Sequence, residues 1–137
     1  MTLTIRIIAP DKTVWDASAE EVILPSTTGQ IGILTGHAPL LTAVDIGVMR
    51  IRSNKDWQNI ALMGGFAEVE ANEVTVLVNS AERSDTINIE QARLDYNEAQ
   101  SQLEKISLSD NRQEQIQATQ SFKKARARYQ SVGGMVS

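Results

Sequence analysis

The sequence contains no cysteine and a single histidine among its 137 residues. Without cysteine, the chain forms no disulfide bonds and offers no thiolate metal ligand or thiol nucleophile. The histidine, His37, has no second histidine and no paired carboxylate near it in sequence. Such a residue is typical of a hydrogen-bonded turn rather than of a catalyst or a metal ligand. We therefore expect no catalytic residue, no metal site and no cofactor.

The sequence also lacks a long apolar run and an excess of basic residues. No stretch approaches the ~20 apolar residues that a membrane-spanning helix needs, and the beginning, "MTLTIRIIAP", has no basic region followed by an apolar run. The net charge of −4 disfavours binding of the whole molecule to nucleic acid or anionic lipid. With 42% apolar residues, we expect a soluble globular chain with no nucleic-acid partner and no direct membrane insertion.

The composition changes near residue 86. All three prolines and six of the eight glycines precede Phe66, whereas eight of the ten glutamines follow Ile89. Up to Thr86 the chain carries six basic and eleven acidic residues, a balance of −5, and the remainder carries seven and six, a balance of +1. We predict one domain over residues 1–85 and a second over residues 86–137.

The first domain is predicted to consist of short β-strands. The segments "TLTIRI" and "EVEANEVTVLV" alternate apolar and polar residues, and the second folds back about Ala71 and Asn72. Other β-rich runs recur at intervals of about ten residues, the spacing of a sandwich or barrel rather than of βαβ units. We predict a compact antiparallel β-sandwich.

The second domain is predicted to be a two-helix hairpin, which makes the fold class α+β. Its apolar residues step by three and four in two series, as in amphipathic helices. The first series is Ile89, Ala92, Tyr96, Ala99, Leu103 and Ile106, and the second is Ala118, Phe122, Ala125, Tyr129 and Val132. The segment "SLSD" turns between them. Predicted caps are Asn88 with Gln91 reaching back, Asp110 with Gln113, and, at the C-terminal end, Gly133 with Gly134.

This hairpin has thin apolar seams, much of them alanine, so it is predicted to be marginal alone in water. It can rest on the sandwich or reach out to another protein. A small difference in free energy between these two postures would let a ligand or partner select one of them, as in a switch.

The segment "STTGQIGILTGHAPLL" concentrates glycine but matches no phosphate-binding motif. It has neither the lysine of a P-loop nor the GxGxxG dinucleotide spacing. Its glycines are predicted to supply the positive backbone angles of tight strand connections. The adjacent Glu20 and Glu21 point to opposite faces of a strand and cannot line one site together.

A basic cluster, Lys123, Lys124, Arg126 and Arg128, follows the last acidic residue, Glu114. Two interpretations remain open. The cluster could meet an acidic protein surface together with the apolar seam. It could also be a solvated face that favours the helix dipole, and the residues alone favour this interpretation.

The whole chain resembles the epsilon-subunit family of F-type ATP synthases, most like the cyanobacterial and chloroplast members. The resemblance rests on the ordered combination of "GQIGIL", "GHAPLL", "GGFAEV" and "VTVL" followed by a helical hairpin. It implies a noncatalytic rotor subunit whose sandwich, the rotor-docking domain, binds the gamma subunit and touches the membrane c-ring. Thr28, Gly29 and Gln30 match the family's c-ring loop, and His37, Ala38, Pro39 and Leu40 match a region of gamma contact.

The resemblance also implies a regulatory role for the hairpin. In the family it restrains ATP hydrolysis by extending along gamma toward the alpha and beta catalytic subunits, whose acidic loops meet basic residues at the place of Lys123, Lys124, Arg126 and Arg128. Some members bind ATP through a motif like Ile-Asp-x-x-Arg-Ala. Here the chain has "INIEQA", with Asn88 and Gln91 in place of both charged residues, so tight ATP binding is not expected.

The resemblance further implies a monomer when isolated and a peripheral location on the cytoplasmic or stromal face of an energy-transducing membrane, the thylakoid. Alternatives from other classes remain. A freestanding β-sandwich adaptor for another acidic protein would purify without gamma and leave ATPase rates unchanged. A hydrolase would be distinguished by turnover of a substrate.

Overall fold

The computed structural model describes residues 2–134. The strands are β1 (Leu3–Ala9), β2 (Lys12–Ala19), β3 (Glu21–Ser26), β4 (Gly29–Leu34), β5 (Leu40–Ser53), β6 (Asp56–Glu70), β7 (Glu73–Val78) and β8 (Ala81–Arg83). A 3₁₀ turn at Ser84–Thr86 leads into the helices α1 (Ile89–Ile106) and α2 (Arg112–Ser131). The predicted α+β fold, a β-sandwich followed by a helical hairpin, is confirmed.

The strands pair in the order β2-β1-β7-β6-β5-β3-β4, and β8 also pairs with β6. The long strands β5 and β6 pair from Leu40 opposite Val69 to Ser53 opposite Asp56, and they connect the two layers of the sandwich. Strands β1 and β7 are parallel, which departs from the antiparallel expectation. Apolar alternation indicates which face of a strand is buried but not the direction in which the strand runs, so the pattern could not reveal this pair.

The core of the sandwich is built without the helices. Leu3, Ile5 and Ile7 alternate along β1 and are fully buried. The buried cluster to which they belong draws on all eight strands and extends from Leu3 to Ala81. The predicted turn between β6 and β7 is confirmed, because Ala71 and Asn72 have φ angles of 50° and 63°, as in a tight hairpin.

The first helix begins as predicted, with a different role for one side chain. The Asn88 side chain accepts a hydrogen bond from the Gln91 amide at 2.9 Å, which confirms the N-cap. The Gln91 side chain does not reach back, however. It donates to Asp95 Oδ1 at 2.8 Å, one turn further along the helix.

The predicted cap of the second helix is wrong by one residue. Asn111, not Asp110, is the N-cap, and it accepts from the Glu114 amide at 3.1 Å rather than from Gln113. The Ser109 hydroxyl accepts from the Asn111 amide at 3.0 Å, which keeps the linker non-helical for one more residue. At the other end, Gly133 has a φ of 88° and closes the helix as predicted.

Candidate functional site

The glycine-rich segment forms turns, and two of its three glycines have the predicted backbone geometry. Gly29 and Gly36 have φ angles of 126° and 85°. Gly32 does not, because it lies within β4 opposite Ile23. The Ser26 hydroxyl donates to the Gly29 carbonyl at 2.6 Å and accepts from the Thr28 amide at 3.2 Å. These bonds fix the β3–β4 turn.

The tip of this turn carries the residues matched to the c-ring loop. Thr28, Gly29 and Gln30 are all exposed. The turn is polar, and the Ser26 hydroxyl holds its shape by hydrogen bonds to Thr28 and Gly29.

The segment matched to the gamma contact is tied to the sandwich by hydrogen bonds. The Gly36 amide donates to Asn72 Oδ1 at 2.7 Å, which joins this loop to the β6–β7 turn. His37 is half-buried, and its Nδ1 lies 2.7 Å from the Ala38 carbonyl oxygen. The histidine is thus a hydrogen-bonded turn residue, as predicted. Beyond it, Ala38 and Pro39 are exposed and Leu40 begins β5.

An exposed apolar row crosses the outer face of the sandwich next to this segment, and sequence reasoning missed it. Its members are Ile8, Leu77, Phe66 and Ala43, which pair in register across β1, β7, β6 and β5, together with Leu41 two residues before Ala43. Leu41, Phe66 and Leu77 are 72%, 59% and 53% exposed. The available signal was the unbroken run "VLV", in which Leu77 stands where alternation calls for a polar residue.

The helical hairpin lies on the sandwich, with α2 against β5 and β6. The contact is a small apolar cluster of buried residues, mainly alanine: Ala61, Ile87, Ala92 and Ala127. The half-buried Ile46, Met63, Tyr129 and Val132 pack around it. Asn59 of β6 adds a hydrogen bond from Nδ2 to the Ser131 carbonyl at 3.1 Å. Sequence reasoning missed the sheet-facing residues Ala127 and Ser131, because it assigned each helix a single seam.

The seam between the helices follows the predicted spacing except at its ends, where Ile89 is exposed and Val132 lies beyond α2 and packs in the cluster on the sandwich. Tyr96 packs between Phe122 and Tyr129, with ring centroids 5.6 and 5.3 Å away. Ala92 and Ala118 are buried. Ile89 was expected in this seam but is 61% exposed at the first position of the helix.

The four residues of the basic cluster have different surroundings in the structure. Arg128 Nε lies 2.6 Å from Glu82 Oε2 on β8, and Arg128 Nη1 lies 3.3 Å from Asp95 Oδ2 on α1. Arg126 stacks on the Phe122 ring at 5.3 Å from its centroid. Lys123 is half-buried and Lys124 is exposed. The four residues therefore do not form one uniform solvated face.

The residues of the degenerate nucleotide motif have structural partners. Asn88 caps α1 and Gln91 holds Asp95. Beside them, the pKa of Glu90 lies below its usual value because Arg93 donates a hydrogen bond to the carboxylate.

Within residues 2–134, no group of three or more acidic or histidine side chains is placed to hold a metal ion. No helix in the same range is long and apolar enough to span a bilayer.

Two family descriptions together match nearly the whole chain. Residues 2–84 match the beta-sandwich domain of the ATP synthase delta/epsilon chain, and residues 85–133 match its long alpha-helix domain. An ATP synthase epsilon chain from Prochloron didemni is 68% identical over 135 residues, covering 98% of this chain and 99% of the relative. One from Nostoc punctiforme is 67% identical over 138 residues, covering 99% and 100%.

Solved structures show the same fold at low identity. A chain of the Euglena gracilis mitochondrial ATP synthase superposes with a TM-score of 0.78 at 16% identity, covering 92% of this chain and 78% of that one. A chain of the Tetrahymena thermophila mitochondrial ATP synthase central stalk and c-ring superposes with a TM-score of 0.62 at 15% identity, covering 96% and 97%.

Proposed function

The chain belongs to the delta/epsilon chain family of ATP synthases, and on that premise we propose that it links the gamma subunit to the c-ring and restrains ATP hydrolysis through its C-terminal helices. It is a noncatalytic subunit in this account. Residues 1–85 form the rotor-docking domain and residues 86–137 the regulatory domain. The self-contained core of the sandwich supports this division.

The observation that carries the docking proposal is the exposed apolar row. Leucine and phenylalanine side chains that are more than half exposed and adjacent on one face are characteristic of a protein interface. The row begins directly after the segment His37, Ala38, Pro39 and Leu40, because Leu41 follows Leu40 along β5, although the Leu40 side chain itself packs against the core. We assign this surface to gamma, and the polar tip at Thr28, Gly29 and Gln30 to the c-ring.

The chain would then lie at the periphery of an energy-transducing membrane through its partners. The similarity to epsilon chains of cyanobacteria, including Prochloron didemni and Nostoc punctiforme, supports the cytoplasmic face of the thylakoid. The alpha and beta catalytic subunits are the proposed partners of the basic cluster on α2. Asn88 and Gln91 are neutral and occupied within α1, which supports the absence of tight ATP binding.

Leu77→Glu is expected to weaken binding to an ATP synthase complex depleted of its epsilon chain by at least about tenfold. The substitution places a charge in the middle of the apolar row, where docking would strip it of water. The matched control is Leu94→Glu on α1, because Leu94 is 49% exposed and lies outside both the row and the segment assigned to gamma. Titration of each purified variant into the depleted complex measures the affinity.

Equal binding by both variants would contradict the assignment of this surface. Binding of the intact chain to an unrelated acidic protein, with no binding to the depleted complex, would instead favour the freestanding adaptor. Thermal unfolding of each variant provides the folding control. Both leucines are exposed, so neither substitution should change stability by more than about 1 kcal/mol.

A further inference from the structure

Arg128 joins three separate parts of the structure. It lies on α2, its Nε contacts Glu82 of β8 in the sandwich at 2.6 Å, and its Nη1 contacts Asp95 of α1 at 3.3 Å. The Arg128 side chain is 27% exposed, and those of Glu82 and Asp95 are 39% and 36% exposed. Among the described residues, the pair with Glu82 is the ion pair that connects the hairpin to the sandwich. We call these three residues the latch.

Hydrogen bonds at the start of α1 hold Asp95, one of the two carboxylates of the latch, in position. Asn88 Oδ1 accepts from the Gln91 amide, and Gln91 Nε2 donates to Asp95 Oδ1 at 2.8 Å. The second carboxylate oxygen of Asp95 faces Arg128. Gln91 therefore orients Asp95 toward the guanidinium, so the neutral residue of the degenerate motif has a positioning role.

The latch matters because the remaining contact between hairpin and sandwich is small. Alanine side chains contribute three of the four buried residues in that contact, and burial energy scales with the apolar area removed from water. A partly exposed ion pair that contributes about 1 kcal/mol or less is therefore enough to shift the balance between the docked and the released hairpin.

We propose that Arg128 holds the hairpin on the sandwich through Glu82, that Asp95 keeps Arg128 in position for this contact, and that both carboxylates compete for Arg128 with the acidic surface to which the extended hairpin binds. The last part of this proposal rests on the proposed function. Arg128 cannot meet both sets of carboxylates at once, because its contact with Glu82 requires the hairpin to lie on the sandwich, whereas the acidic surface is bound by the extended hairpin. Release of the hairpin from the sandwich then also frees Arg128 to bind the acidic surface together with the other three residues of the basic cluster.

Hydrogen exchange of the isolated full-length chain tests the latch. In Glu82→Gln and Asp95→Asn the α2 amides should exchange about fivefold faster than in the unmodified chain, which corresponds to about 1 kcal/mol for each pair. Glu104→Gln is the control for lost charge on α1, because Glu104 is exposed and lies nine residues after Asp95, on the opposite face of the helix, and it should leave α2 exchange unchanged. Amides of β6 and β7 report whether each variant keeps its sandwich.

Salt separates an electrostatic latch from a packing effect. Raising the ionic strength from about 0.1 to 1 M shortens the screening length from about 10 to 3 Å. The unmodified chain should then exchange faster in α2, while the double variant Glu82→Gln with Asp95→Asn should barely respond. Unchanged α2 exchange in the variants, or an equal salt response with and without the carboxylates, would overturn the latch.

Inhibition of ATP hydrolysis tests the competition. The double variant should suppress hydrolysis by a depleted complex at a concentration about fivefold or more below that of the unmodified chain. Arg128→Gln should release α2 equally well but suppress more weakly, because the released helix lacks one of its cations. Equal potency of all three chains would overturn the competition, whereas failure of every chain to bind the complex would refute the proposed function and leave the exchange result to decide the latch.

Discussion

A chain that ends at Asp85 is expected to bind an epsilon-depleted ATP synthase complex as tightly as the intact chain does, and to leave ATP hydrolysis unsuppressed. The sandwich should fold without the hairpin, because its buried cluster draws only on strands β1 to β8. The apolar row and the β3–β4 tip lie entirely within the shortened chain. Loss of the hairpin removes the whole basic cluster, so the hydrolysis rate should rise several-fold relative to the complex with the intact chain.

The control for this truncation is the intact chain with Lys123, Lys124 and Arg126 changed to glutamine. It keeps both helices and removes three of the four cations. Each exposed charge pair contributes about 1 kcal/mol or less, so the effect should be collective, with suppression between that of the intact and shortened chains. If the shortened chain suppresses hydrolysis as strongly as the intact one, the hairpin has no inhibitory role.

Gly65→Ala is expected to destabilise the sandwich by about 3 kcal/mol or more, a larger effect than any exposed substitution considered above. A methyl group at Gly65 would meet the Leu77 carbonyl oxygen and lie 2.8 Å from Val78 Cα. These are backbone atoms of the neighbouring strand, opposite Gly65 in the β6–β7 ladder, so they cannot move aside as a flexible side chain can. Urea unfolding of the purified variant measures the loss in the free energy of unfolding.

Gly32→Ala is the matched control for this substitution. Gly32 also lies in a strand, but a methyl group there would have no heavy atom within 4 Å. Its stability should stay within about 1 kcal/mol of the unmodified chain, because alanine also restricts the unfolded state. If the two variants unfold at the same urea concentration, close backbone approach at Gly65 is not what requires glycine there.

Local patterns predicted most of the elements because each depends on neighbours in sequence. Alternation located β1 and the β6–β7 hairpin, and the three-to-four spacing located both helices. The Asn88 cap was predictable because its hydrogen bond spans three residues. The second cap was misplaced because Asp110 and Asn111 are both good cap residues, and the Ser109 hydroxyl selects between them.

The features that position the hairpin depend on residues far apart in sequence. Arg128 and Glu82 are 46 residues apart, and no spacing rule connects them. Ala127 is inconspicuous in sequence, since an alanine beside two arginines does not indicate a face buried on a sheet. The apolar row also required the pairing register, because its members come from four strands.

The proposed regulation requires a sandwich that is stable by itself and a hairpin that is only weakly attached to it. Urea unfolding of the isolated chain, followed by two probes in one Trp57→Phe sample, tests this directly. Far-ultraviolet circular dichroism reports the helices, and fluorescence reports Trp15, which is buried in the sandwich core. We predict that the helical signal is lost at a lower urea concentration than the Trp15 signal, whereas superimposable transitions would show a single cooperative unit and contradict the account.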